Sequence, residues 1–286
     1  STDLGNGTAP EFGDTTYTTN QTFTVSFAEN DNVTINYEAT KGGSVSLDSE
    51  TVAPATGNPQ GSTAKAEVGY TFDGWYLGDT KVGSDLAYKP SRNADGIYEA
   101  ATYTAKFIPN DDTPYTVNIY LSDANGNYGD PATSDVRTAT TDTTVSVTDA
   151  DKQAPEGYAL DPNADNVFEG TVAGDGSLIL KVYFAKDEIG ENPEDPGDNI
   201  PDKYQILFTY EAKENGVVTG ETYELHTFKD NEGNYVEPTP TKPDAEVKAT
   251  ANAGYHIDKW IDESSTDLGN GTAPEFGDTT YTTNQT

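Results

Sequence analysis

Two histidines, His226 and His256, are the only side chains here that ordinarily titrate near neutrality. Neither belongs to a Ser/His/Asp set or to a metal-ligand spacing, and alternation along GYHIDKW turns His256 outward. There is no cysteine, which rules out thiolate chemistry and disulfides. Carboxylates are everywhere, but glycoside hydrolysis needs one pair at a set separation in a cleft. Modules of the size found below rarely supply one, so catalysis is not expected. The spacing best suited to chemistry is in EDPGDNIPD, because hard cations take several oxygens at alternating loop positions. Glu194, Asp198 and Asp202 fall on such positions and form a candidate calcium site, with Asn199 where a turn glycine would stand. Pro196 sits where that pattern wants an acid, and Gln205 where it wants a bidentate one. No cofactor is required elsewhere.

The elements that would position these residues are set by a repeat. Ser265–Thr286 reproduces Ser1–Thr22 without one difference, so each position returns 264 residues later. Self-similarity at a fixed period indicates an array, and identity without substitutions makes the chain a window on an array of near-identical units. The partners expected are therefore further copies of the same repeat, on one chain or a neighbouring one, with a surface ligand unspecified. A net charge of −33 excludes nucleic acid, which needs clustered Lys and Arg. It also disfavours anionic lipid, and no apolar run is long enough for membrane insertion. The acidity suits a solvated, self-repelling surface. Only 33% of residues are hydrophobic, but 18 Tyr, 10 Phe and 2 Trp can fill several small cores.

Apolar alternation with period two marks the strands VTINYEA, YTAKF, YTVNIYL, TTVSV, LILKVYF and YQILFTY, bounded by Gly, Asn, Asp and Pro. The fold class expected is mainly β, as small β-grasp-like modules in a linear rod. Short helices are admitted at Gly61–Val68 and Asp149–Ala154. Residues 29–110 form a first module and 111–186 a second. Residues 187–202, with seven acids and three prolines, form a linker. Residues 203–286 form a third.

The first module carries GYTFDGW and a closing strand ending at Phe107, 32 residues after Trp75. The third carries GYHIDKW, and no closing strand follows Trp260. Continued by the repeat, Thr286 would be followed by the equivalent of FTVSF, placing the counterpart of Phe27 31 residues after Trp260. Residues 1–28 thus read as the tail of a third-type module. Phe23, Val25 and Phe27 are expected to complete a neighbouring module or to stand as a fragment. Gly69, Tyr70, Phe72 and Trp75 form the core motif of the first module, and Gly254, Tyr255, Ile257 and Trp260 that of the third. Core packing is preferred over a sugar-binding platform for the tryptophans.

The stretch EVGYTFDGWYLGDTKV with its YTAKF strand resembles the Listeria–Bacteroides repeat of internalin B-type surface proteins. GYHIDKW departs from that signature at Ile257 and Lys259. Residues 116–184, with YLSDANGNY and LILKVYF, resemble a mucin-binding-protein repeat. The resemblance implies an extracellular, wall-anchored Gram-positive adhesin or stalk that projects a distal binding domain. A self-assembling filament completed by strand donation and a multivalent glycan- or protein-binding repeat are the alternatives. It also brings Lys106 and Lys181 forward as candidates for Lys–Asn isopeptide bonds, and makes the sequons at Asn6, Asn20 and Asn32 coincidental.

Overall fold

The computed structural model describes residues 3–190, 192–193 and 197–286; Glu194 lies outside the described residues. Two compact units divide the chain. One holds residues up to Thr40 with Ser44–Lys65 and Gly74–Lys106. The other holds Lys41–Gly43, Ala66–Asp73 and Phe107–Thr286.

Eight strands occupy the first module: β1 (Val33–Ala39), β2 (Gly43–Val45), β3 (Ser49–Val52), β4 (Ser62–Ala66), β5 (Tyr70–Leu77), β6 (Thr80–Gly83), β7 (Ala87–Tyr88) and β8 (Ala101–Pro109). The main sheet runs β3-β1-β8-β5-β6, and β2-β4-β7 form a second. The first and last strands are parallel neighbours, from Ile35 opposite Ala101 to Ala39 opposite Ala105. That is a β-grasp order. A parallel pair needs a long crossover, here built from short strands instead of a helix. Ile35 and Tyr37 are buried while Glu38 faces water, the alternation read from VTINYEA. Gly61–Val68 is not helical. Ser62 and Ala64 face inward between exposed Thr63 and Lys65, so period two wins in β4.

The second module repeats this plan with β9 (Thr113–Leu121), β10 (Thr133–Ala139), β11 (Thr144–Ser146), β12 (Tyr158–Leu160), β13 (Glu169–Thr171) and β14 (Ile179–Lys186). Its sheet runs β10-β9-β14-β12, with β9 and β14 parallel. Val117, Leu180, Val182 and Phe184 form the core. Asp149–Ala154 makes turns, because Pro155 blocks helical continuation. Asp151 instead holds Thr148 and a two-pronged Arg137 pair at 2.7 and 2.8 Å.

In the third module a 3-10 turn (Asp202–Tyr204) leads into β15 (Gln205–Thr209), followed by β16 (Gly216–Gly220), β17 (Tyr223–Thr227) and β18 (Val247–Ala251). β15 pairs with β17, and β16 with β18, both antiparallel.

Within the second unit, one fully buried carboxylate joins these last two modules. Asp161, just after β12, accepts hydrogen bonds from the Tyr128 hydroxyl at 2.7 Å, the Tyr204 hydroxyl at 2.7 Å and the Lys203 ammonium at 2.5 Å. Burial pushes this carboxyl up, but Lys203 and the two hydroxyls outweigh it and hold it below the usual range. Beside it the Asn163 side-chain amide donates to the Tyr235 carbonyl, and the Tyr204 and Tyr235 rings stack. Removing one member of a buried ion pair costs about 3–5 kcal/mol, because the other charge stays desolvated. Lys203 keeps some water contact, so Asp161→Asn should cost about 2–3 kcal/mol. Chemical denaturation followed by hydrogen exchange should show the loss around Tyr204 and Tyr128, leaving β1 and β8 unchanged.

Candidate functional site

The GYxFxGW pattern is built by close backbone approaches. Gly69 has φ +85°, and a Cβ there would meet the Gly174 Cα at 2.3 Å. Tyr70 is half-buried and its hydroxyl donates to Asp142, while the Phe72 ring lies 5.6 Å from Phe107. Trp75 is fully buried, with its indole N–H on the Leu86 carbonyl at 3.1 Å and its ring against Tyr37 and Tyr88.

In the third module the same motif is more loosely packed. Gly254 has φ +87° with open space around it, Tyr255 is exposed, and Ile257 and Trp260 are half-buried. Residues 252–260 form no strand, whereas their counterparts in the first module make β5. The tryptophan hook survives all the same: the Trp260 indole donates to the Gly271 carbonyl at 3.1 Å, the eleven-residue offset that Trp75 uses.

What differs is the strand between β1 and β5. In the first module β8 fills that place, burying Tyr103, Ala105 and Phe107. In the third, β15 has β17 on one side, and on the other a single parallel bridge, Phe208 opposite Gln285. Gln285 gives its N–H to Leu207 and its carbonyl to Thr209, both at 2.9 Å. Beyond it lies a groove of about 570 Å³ bordered by Phe208, Tyr210, Trp260, Phe276, Tyr281 and Gln285. The Gln285 side-chain carbonyl is buried there without a hydrogen-bond partner. Phe23, Val25 and Phe27 belong to no strand and are 50%, 72% and 90% exposed.

The acids of the linker fold its ends. Asp202 accepts the backbone N–H groups of Glu188 and Ile189, and Asp187 those of Asp198 and Asn199, in a reciprocal clasp. Asp198 takes the Ile200 N–H and the Gln205 amide. Among the described residues, the His/Cys/Asp/Glu set that brings three ligand atoms within 4.8 Å of one another is Glu224, His226 and Asp244, not Asp198 and Asp202. Glu224 is already taken there, by the Asp244 and Ala245 N–H groups and His226. His256 is exposed. Lys106 lies over the Tyr76 ring at 4.2 Å, a cation–π contact, and Lys181 extends the β14 ladder. Among the described residues no helix is long and apolar enough to cross a membrane. The Asp161 cluster has no signature in the sequence, since nothing in a lone Asp signals partners 33 to 43 residues away.

Burial, reinforced by neighbouring acids, pushes the Asp187 and Asp202 carboxyls above their ordinary value of 3.8. A folded-state value above the unfolded one means that folding takes up protons in that window. Stability should therefore rise as pH falls from neutrality towards about 4. Below that it should fall, as Asp161 and Asp151, both held low, take protons. Melting midpoints between pH 3 and 8 should show this maximum, and Asp202→Asn, which keeps an acceptor oxygen, should flatten the upper limb. The two tryptophans should also differ. Acrylamide should quench Trp260 emission and barely touch Trp75, measured on Trp75→Phe and Trp260→Phe chains.

No curated protein matches the chain. The family model for the divergent InlB B-repeat domain matches residues 33–111 and again 206–284, more than half of the chain. The two matches begin on β1 and β15, the strands whose parallel partner is present in one module and barely begun in the other. The chain belongs to the divergent InlB B-repeat domain family.

Proposed function

We propose that this chain is the load-bearing repeat of a long bacterial cell-surface protein, a stalk that projects a distal adhesive domain. The observation that carries the reading is the parallel pairing of the first and last strands of each complete module, β1 with β8 and β9 with β14. The chain enters such a module at one end of the pair and leaves at the other. Tension along the chain then slides the two strands past each other, and every ladder hydrogen bond is strained at once. Two family modules in one chain, and a 22-residue segment recurring without change, support a tandem array. The strong acidity keeps such an array soluble and apart from its neighbours. The second module is the mucin-binding-repeat-like member of the set, in a Gram-positive setting.

Single-molecule pulling tests this. The chain has no native cysteine, so handles can be placed at will. Stretched from its two ends, it should give high-force events for the first and second modules. Handles at Val33→Cys and Ala101→Cys, at the same end of the β1–β8 pair, should unzip that pair at a several-fold lower force. Equal low forces in both geometries would remove the mechanical reading. A glycan array probed with the same chain should stay blank, and reproducible hits would favour a binding repeat instead.

A further inference from the structure

We propose that Tyr120 and Tyr183 form an oxidative coupling site, where hydrogen peroxide acting through a haem peroxidase joins the two rings into a dityrosine that staples β9 to β14.

Composition sets the chemistry. The chain has no cysteine and no methionine, the side chains that ordinarily take up oxidising equivalents first. What remains is 18 tyrosines and two tryptophans, and Trp75 is fully buried. One-electron oxidation of this chain therefore falls on tyrosine, and geometry decides which tyrosines couple.

A phenoxyl radical carries its spin on the oxygen and on the ortho and para ring carbons, in lobes above and below the ring. The side-chain Cβ occupies the para carbon, so the bond forms between two ortho carbons, face to face. Tyr120 and Tyr183 are directly opposite in the parallel ladder, and their rings stack with centroids 4.4 Å apart and planes at 11°. That is the tight limit of aromatic stacking. Neighbouring pairs are less suited. Tyr128 meets Tyr183 edge-on at 76°, and Tyr88 and Tyr103 are tilted by 52°. The stacked pairs Tyr204–Tyr235 and Tyr37–Tyr103 are 5.8 and 6.2 Å apart.

The two rings are both held and reachable. They alternate away from the core of Val117, Leu180, Val182 and Phe184, and each is half-buried. The Asn118 amide donates to the Tyr120 hydroxyl at 3.2 Å, and the Tyr183 backbone N–H donates to the Asn166 side-chain carbonyl at 2.9 Å.

Each phenol gives up one electron and one proton. The two radicals combine, and the hydrogens on the joined carbons move to the phenolic oxygens. The peroxide takes up the electrons and protons and leaves as two waters, a role suited to a haem enzyme. The new bond ties residues far apart in the chain, so it restricts the unfolded ensemble as a disulfide does. The chain enters β9 at Thr113 and leaves β14 at Lys186, so tension passes through the staple and bypasses the residues between. Only that last consequence rests on the load-bearing reading; the coupling does not.

Peroxide and a haem peroxidase, added to the dilute full chain, test this. The chain should stay monomeric, gain the blue emission of dityrosine and lose two hydrogens in intact mass for each bond. Trypsin should then release Val182–Lys186 joined to Phe107–Arg137. Tyr120→Phe, which keeps the ring stack, should remove the joined peptide and leave the melting midpoint of the untreated chain unchanged. Tyr128→Phe should keep it, although Tyr128 lies in the same tryptic peptide. A joined peptide that survives Tyr120→Phe, coupling found only between chains, or Val182–Lys186 recovered unjoined would overturn the proposal. Pulled from its ends, the coupled chain should lose most of the length released by the second module and keep that of the first. A full release with the joined peptide present would count against the load-bearing reading alone.

Discussion

Everything in each module hangs on one pairing, that of its first strand with its last, side by side and parallel. It closes the longest loop in the module, 61 residues between Ala39 and Ala101, and closure entropy over such a loop must be met by the contacts it brings together. In the first module the return comes from Tyr37, Trp75, Tyr103 and Phe107 around one core. In the third, β15 has one such bridge, Phe208 with Gln285, the segment before Trp260 forms no strand, Gly254 and Tyr255 face open space, and Trp260 keeps its hydrogen bond while half-buried.

Much of this was legible in the residues. Alternation placed β1, β8, β9, β14 and β15 because each has one dry face, and period two leaves a clear trace there. The identity of Ser1–Thr22 with Ser265–Thr286 is matched by like turns and a like Phe–Tyr contact in the two segments. The short strands were less visible. Gly61–Val68 admits a short helix by sequence, because β4 has only small inward residues, Ser62 and Ala64, and leaves a faint period-two trace. Glu194, Asp198 and Asp202 have the loop-like spacing of cation ligands. In the structure Asp202 also serves backbone N–H groups, a use that spacing alone does not distinguish from ligation. Asp161 gave no signal at all, since its partners come from Tyr128, Lys203 and Tyr204, far apart in the chain.

The twin segments show which part of a fold is local. Turn bonds and the Phe–Tyr contact form identically at exposed residues 3–17 and at their packed equivalents. Tertiary packing does not shape the segment; it dries it. A segment that carries its own conformation loses less conformational freedom when it packs.

The Asp161 cluster has a consequence for how such a chain is made. The carboxylate belongs to the second module, but the ammonium and one of the hydroxyls that stabilise it arrive 42 and 43 residues later, at the threshold of the third. Without those residues, a folded second module would hold a charge in its interior answered by the Tyr128 hydroxyl and the Asn163 backbone N–H but by no cation, an arrangement that low-dielectric surroundings penalise. The second module therefore has its interior charge fully compensated only once the threshold of the third is in place.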